Sequence, residues 1–182
     1  APFHGKPVRV FAWFGMPEKA ANKPVPGMVL VHGGGGTAFA GWVKYWTDRG
    51  VAAIAVDCTG SRPLAFDERK DPRVRHESGG APDSYFVFEK DLADQWSAQA
   101  VTAVILANSF LRSQPGVDPD RIGITGISWG GYLTCLAASL DDRFAFAAPV
   151  YGCGFLENTW VATPLGKMKD GDRERWIAAF DP

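Results

Sequence analysis

The sequence predicts an α/β domain whose mostly parallel sheet is flanked by helices. Three observations carry that expectation. Short, nearly continuous apolar runs at Met28–Val31, Val51–Val56 and Phe144–Val150 have the pattern of strands covered on both faces. Segments with helical spacing lie between them, and strands alternating with helices build parallel sheets. A further apolar strand, beginning at Arg121, runs into Gly126-Ile-Ser128-Trp-Gly130 and then into a helix-forming stretch, Tyr132–Leu140.

The composition supports one domain with a substantial core. The chain has 182 residues, and 46% hydrophobic against 21% charged side chains is a globular balance, not a disordered one. Nineteen basic and twenty acidic residues leave a net charge of −1, which points to neither a nucleic-acid nor an acidic-lipid partner. No apolar run approaches the roughly 20 residues of a membrane-spanning helix. Cys58, Cys135 and Cys153 cannot all pair, and no Cys/His cluster suggests a metal site; no cofactor is expected. A first residue Ala1 is compatible with a processed, secreted or periplasmic protein, and otherwise with a cytoplasmic one.

Taken in order, Val8–Phe14 alternates as a strand, and Met16–Gly27 connects it to the strand Met28–Val31. Thr37 is the expected N-cap of a helix carrying Trp42, Tyr45, Trp46 and Arg49, with Gly50 as its stop. Val51–Val56 ends at Asp57, read as a structural hydrogen-bond acceptor. The polar segment from Ser61 to Ser84, interrupted by Pro63, Pro72 and Pro82, is long enough to be functional or mobile. Arg73, Arg75, His76 and Glu77 sit in it, and a lone loop histidine such as His76 reads as solvated rather than as a substrate contact. Asp91–Arg112 is a long helix with Leu92, Trp96, Ala100, Ala103, Ala107 and Leu111 on one stripe. Asp118-Pro119-Asp120 turns into the next strand. Phe144–Val150 leads to Tyr151-Gly152-Cys153-Gly154-Phe155, a loop that walls a pocket; Cys153 is read as a small apolar residue. The tail, Leu156–Pro182, reads as helical and partly exposed.

Two stretches carry chemistry. Gly126-x-Ser128-x-Gly130 sits where a sharp strand-to-helix turn lifts a serine hydroxyl above a sheet, and the helix N-terminus beneath it favours developing negative charge. Ser128 is therefore the expected nucleophile. His32-Gly33-Gly34-Gly35-Gly36 follows a buried strand, and four glycines spend backbone entropy for a permissive conformation. Such a loop can turn N–H groups toward an oxyanion.

His32-Gly-Gly-Gly-Gly and Gly126-Ile-Ser128-Trp-Gly-Gly resemble the α/β-hydrolase fold. Asp118-Pro-Asp-Arg-Ile-Gly, the run through Tyr132, and Val150-Tyr-Gly-Cys-Gly-Phe narrow the resemblance to the acetylxylan-esterase, dienelactone-hydrolase and prolyl-oligopeptidase-type branch, over about Val8–Phe155. The resemblance implies that Ser128 attacks an ester carbonyl, with the N–H groups of Trp129 and of Gly34 and Gly35 holding the oxyanion. Tyr151 and Trp160 are the expected substrate contacts. A small-molecule or carbohydrate ester, with an acetyl or short acyl group, is the expected substrate.

One feature departs from that pattern. The fold carries its triad in the order serine, acid, histidine, yet no histidine follows Ser128; His4, His32 and His76 all precede it. The expectation is an N-terminal part lacking the C-terminal strands, with acid and histidine supplied by a further segment or a second chain. His76 as a substitute base would need Asp57 as its orienting acid, and the spacing does not support the pair. A half-sheet would also expose an apolar edge that needs a cover. A prolyl-oligopeptidase-type peptidase and a non-catalytic scaffold half are the alternatives.

Overall fold

A computed structural model describes residues 2–18, 23–63, 73–76, 79, 85, 91–152 and 154–182. Cys153, Glu77 and most of the segment from Ser61 to Ser84 lie outside the described residues. The strands among them are β1 (Ala12–Gly15), β2 (Val25–Val31), β3 (Ala52–Val56), β4 (Ser61–Pro63), β5 (Arg73–Arg75), β6 (Val117–Ile127) and β7 (Phe146–Val150). Five form one sheet in the order β1-β3-β2-β6-β7, while β4 and β5 pair separately. β1 is antiparallel to β3, and the other pairings in the large sheet are parallel.

The continuous apolar runs of β2 and β3 exist because both faces of the sheet are covered. On one face Met28, Leu30, Ala53 and Ala55 pack with Ala38 and Val43, the latter from helix α1 (Ala40–Thr47). On the other, Val29, Val31, Ile54 and Val56 meet α2 (Trp96–Arg112) and α3 (Trp129–Leu140) through Ala100, Val104, Leu111, Leu133 and Ala137. Each such Val, Leu or Ile removed from water contributes about 1.5–3 kcal/mol.

The tail is more buried than its sequence suggests. A short helix α4 (Ala162–Leu165) and α5 (Asp170–Phe180) bring Leu165, Trp176 and Phe180 into the core behind α3. The Tyr132 hydroxyl donates to the Phe180 carbonyl at 2.7 Å and lies 3.1 Å from Ser97 Oγ, which joins α3, α5 and α2.

Three local expectations change. Thr37 is not the helix cap: its hydroxyl donates to Asp57 at 3.3 Å, and α1 starts after Phe39. The buried carboxylate is the stronger acceptor for that hydroxyl. Asp91 caps a 3₁₀ turn at Leu92–Asp94, accepting from the Ala93 N–H, and extended Gln95 separates this turn from α2. Asp118–Asp120 lies within β6 as an irregularity: Val25 pairs with Val117 and Gly27 with Ile122, so β6 bulges. Asp118 stabilises the bulge by accepting from the Asp120 N–H and the Arg121 guanidinium.

β7 ends the sheet among the described residues. Phe146, Ala148 and Val150 are in register with Gly123, Thr125 and Ile127, and the Phe146 ring lies over Gly123. Ile127, Phe146 and Val150 are exposed at 38%, 51% and 41%. That face of β6 and β7 carries apolar side chains with no helix over them among the described residues, unlike the same face of β2 and β3.

Candidate active site

Ser128 stands between the C-terminal end of β6 and the start of α3. Its backbone lies at φ 58°, ψ −120°, a region that costs a non-glycine residue about 1–3 kcal/mol. Two hydrogen bonds hold it there: its N–H donates to Val150 at 2.8 Å, and its carbonyl accepts from Tyr132 at 3.0 Å. The flanking glycines are required by contact. A Cβ on Gly126 would strike the Gly130 carbonyl, and one on Gly130 would strike the Val31 carbonyl. The serine side chain is exposed.

The glycine loop lies directly opposite. A Cβ on Gly33 would fall 3.3 Å from Ser128 Cβ, and one on Gly34 would fall 2.7 Å from Trp129 Cδ1. The loop is a turn, with the Gly36 N–H donating to the Gly33 carbonyl at 3.1 Å and Gly35 at φ 75°. The Gly35 N–H donates to the Tyr85 hydroxyl at 3.0 Å. Among the described residues no hydrogen bond occupies the Gly34 N–H.

A small cleft of about 70 Å³ opens beside the serine, lined by Ser128, Trp129, Tyr132, Tyr151, Thr159 and Trp160 together with Leu156 and Val161. Both aromatic residues expected from the sequence to contact substrate thus share it with Ser128. Tyr151 is 84% exposed with φ 55°, and Trp160 is 66% exposed and edge-on to Trp129 at 5.8 Å. Tyr85 stacks on Trp129 at 5.2 Å, and buried Trp96 meets both rings.

The histidines lie elsewhere. His4 pairs with Asp94, and the His76 N–H donates to the Gly60 carbonyl beyond β3. Neither lines the serine cleft. His32 is buried beneath the glycine loop: Nδ1 is 2.8 Å from the Gly33 carbonyl and Nε2 accepts the Cys58 N–H at 3.0 Å. With Nε2 so engaged, the proton sits on Nδ1 and donates to Gly33, bracing the turn. Asp57 stands 3.5 Å from His32 and accepts from the Thr59 and Ser61 amides and the Thr59 hydroxyl. Burial alone would raise its carboxyl pKa. The Ser61 and Thr59 amides, which donate to the carboxylate, outweigh burial and hold it below the usual carboxylate range. Asp57 is a structural acceptor, as read from the sequence, although it lies at the C-terminal end of a strand. Burial, and then the Asp57 charge, push the Cys58 thiol well up, so it is no reactive thiolate. Among the described residues no acidic, histidine or cysteine cluster could hold a metal ion.

Sequence reasoning had not singled out Tyr85, Leu156, Thr159 or Val161. A lone tyrosine beside a long polar segment has no local signal, and the other three reach the cleft only through the fold of the tail.

A family model for the prolyl oligopeptidase family matches residues 78–176, more than half of the chain and inclusive of the Ser128 turn. The chain belongs to the prolyl oligopeptidase family. Over 90 residues this family member is 36% identical to "Thiohydrolase aneE" of Aspergillus aculeatus, spanning 50% of the present chain and 25% of that protein. Its backbone matches an acetyl xylan esterase from a Paenibacillus species with a TM-score of 0.67 at 23% identity, over 94% of this chain and 58% of the other. Acetyl Xylan Esterase 1 from a Thermoanaerobacterium species matches with a TM-score of 0.58 at 18% identity, over 96% and 53%. At these identities the two esterases establish a shared α/β-hydrolase fold. The chain spans a little over half the length of each.

Proposed function

We propose that this protein is a serine hydrolase of carboxylic esters and that Ser128 is its nucleophile. The observation that carries the proposal is the backbone of Ser128, held at positive φ in a strand-to-helix turn opposite the glycine loop. We read this turn as a nucleophile elbow, and Ser128 lines the cleft beside it. Oγ bonds to the acyl carbon, its proton passes to a base, and the alcohol leaves with a proton. Water then cleaves the Ser128 ester. The negative oxygen formed in each step sits between the first N–H of α3, at Trp129, and the Gly34 N–H of the glycine turn; the Gly35 N–H, expected from the sequence to share this role, is taken by the Tyr85 hydroxyl. One such donor contributes about 3 kcal/mol to the transition state.

The proposed substrate is an acetyl or other short acyl ester of a carbohydrate-like alcohol. A cleft of about 70 Å³ suits a short acyl group. Exposed Tyr151 and Trp160 offer apolar faces to a sugar ring. Family membership keeps a peptidase as the second reading.

A serine needs a general base, and no histidine lines the cleft. The triad acid and histidine are therefore proposed to come from a further segment or a second chain. Such a partner is proposed to cover the apolar face of Ile127, Phe146 and Val150. A non-catalytic scaffold is the reading that holds if no base is supplied.

The test is denaturing intact-mass spectrometry of the purified protein, with and without a fluorophosphonate, on the natural sequence and Ser128→Ala. Probe mass on Ser128, absent from the variant, is expected. Turnover of acetylated sugar over peptide anilide then separates esterase from peptidase. Probe uptake or ester turnover unaffected by Ser128→Ala overturns the assignment.

A further inference from the structure

We propose that Tyr85 is a positioning residue for the oxyanion site, resting on the assignment of Ser128 as nucleophile. Tyr85 joins the two walls of that site. Its hydroxyl oxygen accepts the Gly35 N–H at 3.0 Å, and its ring stacks on Trp129 at 5.2 Å with 27° between the planes. Trp96 closes on Tyr85 from another side at 4.6 Å, nearly perpendicular. One side chain thus links the glycine turn to the residue that follows the serine.

The turn needs such a link. Gly33–Gly36 is closed by the Gly36 N–H to Gly33 carbonyl bond, with Gly35 at φ 75° as its third residue. The peptide between the second and third residues of a turn can face either way. Glycine on both sides removes the Cβ that would otherwise choose between them. The Tyr85 hydroxyl chooses: by accepting the Gly35 N–H it fixes the Gly34–Gly35 peptide plane. Gly35 then serves as the anchor of the turn, and the Gly34 N–H, in the adjoining Gly33–Gly34 peptide and held through the Gly34 backbone, is the loop's donor to the oxyanion, beside the Trp129 N–H.

The phenol has the right chemistry for a latch. Its oxygen accepts while its ring remains stacked, so Tyr85→Phe removes the acceptor and keeps the ring. Loss of one neutral hydrogen bond loosens the turn without unfolding it, and on the order of a threefold to tenfold effect follows. That effect falls on the chemical step, because the misplaced donor acts on charge that develops only there.

The experiment compares the natural protein, Tyr85→Phe and Ser128→Ala, purified with any polypeptide that accompanies them. Amide hydrogen exchange at Gly35 and Gly36 is read by NMR. Phosphonylation by a fluorophosphonate is resolved into its maximal rate and its half-saturating concentration. For Tyr85→Phe the expected result is faster exchange at Gly35 than at Gly36, with a maximal rate about threefold to tenfold lower at unchanged half-saturation. Unchanged Gly35 exchange overturns the latch. Faster exchange with an unchanged rate reduces Tyr85 to a structural residue and overturns its positioning role. If phosphonylation is the same in Ser128→Ala, the nucleophile assignment fails and takes the proposal with it, while Gly35 exchange still reports whether the hydrogen bond forms.

Discussion

Gly130 rests against the carbonyl oxygen of Val31, with no space for a Cβ between them. Through this one approach the end of β2 and the first turn of α3 come together, and the glycine loop ends up opposite Ser128. The neighbouring contacts are equally tight, since Gly126 meets the Gly130 carbonyl and Gly131 meets Gly152. The obstacles are backbone atoms, which cannot rotate aside as a side chain would. Gly130→Ala is therefore expected to destabilise the fold by about 3 kcal/mol or more, measured by urea unfolding. A loss below about 1 kcal/mol would mean that β2 and α3 can separate at low cost.

Ser128 holds its exposed position at a conformational cost. Its φ of 58° suits glycine, so Ser128→Gly relieves strain while removing the hydroxyl. The expected outcome is a gain of about 1 kcal/mol in unfolding free energy together with loss of fluorophosphonate labelling. A destabilised Ser128→Gly would show that the side chain stabilises the turn rather than straining it.

Acid should weaken the join between α2 and α3. Asp141, after the last turn of α3, accepts two bonds from the Arg143 guanidinium at 2.7 and 2.8 Å and one from Asn108 of α2 at 3.0 Å. The Arg143 contact, opposed by burial and aided by Asn108, holds its carboxyl down to about 2. A depressed folded-state pKa gives stability that is complete above the unfolded value of about 3.9 and is lost as pH falls through the folded one. Unfolding free energy is expected to drop between about pH 4 and pH 2, and Asp141→Asn should flatten that slope. Asp57, also held below the usual carboxylate range, adds stability that is likewise lost in acid. An unaltered slope in Asp141→Asn would place the acid sensitivity elsewhere.

The face of β6 and β7 that no helix covers among the described residues offers a test of the proposed partner. Phe146 is half exposed and lies over Gly123, so Phe146→Glu should leave the secondary structure of this chain intact by circular dichroism. Burying that carboxylate beneath a covering segment is costly. Co-purification of a second polypeptide and labelling of Ser128 should both fall at least tenfold. Full retention of both would exclude this face as the contact.

Much of this protein is legible in short stretches of its sequence. Met28–Val31 and Val51–Val56 announce covered strands because a strand buried on both faces has no polar side to show. The Gly126–Gly130 pattern announces the turn at Ser128, since its conformation depends on adjacent residues. Boundaries are less legible. Thr37 has the chemistry of a cap, but the buried Asp57 carboxylate, twenty residues away, takes its hydroxyl. The tail looks surface-like because the charged run Lys167–Arg175 dominates it, yet Trp176 and Phe180, which follow that run, both enter the core.

The sequence alone determined the strand-helix alternation, the strained serine and the glycine loop, because apolar periodicity and turn chemistry act over a few residues. Tertiary structure decided which partners those residues meet. It put Tyr85 on the Gly35 N–H fifty positions away, sealed His32 under the loop with Cys58, and set Tyr151 and Trp160 around Ser128. Those choices follow from sheet register and the packing of whole elements, which no local pattern encodes.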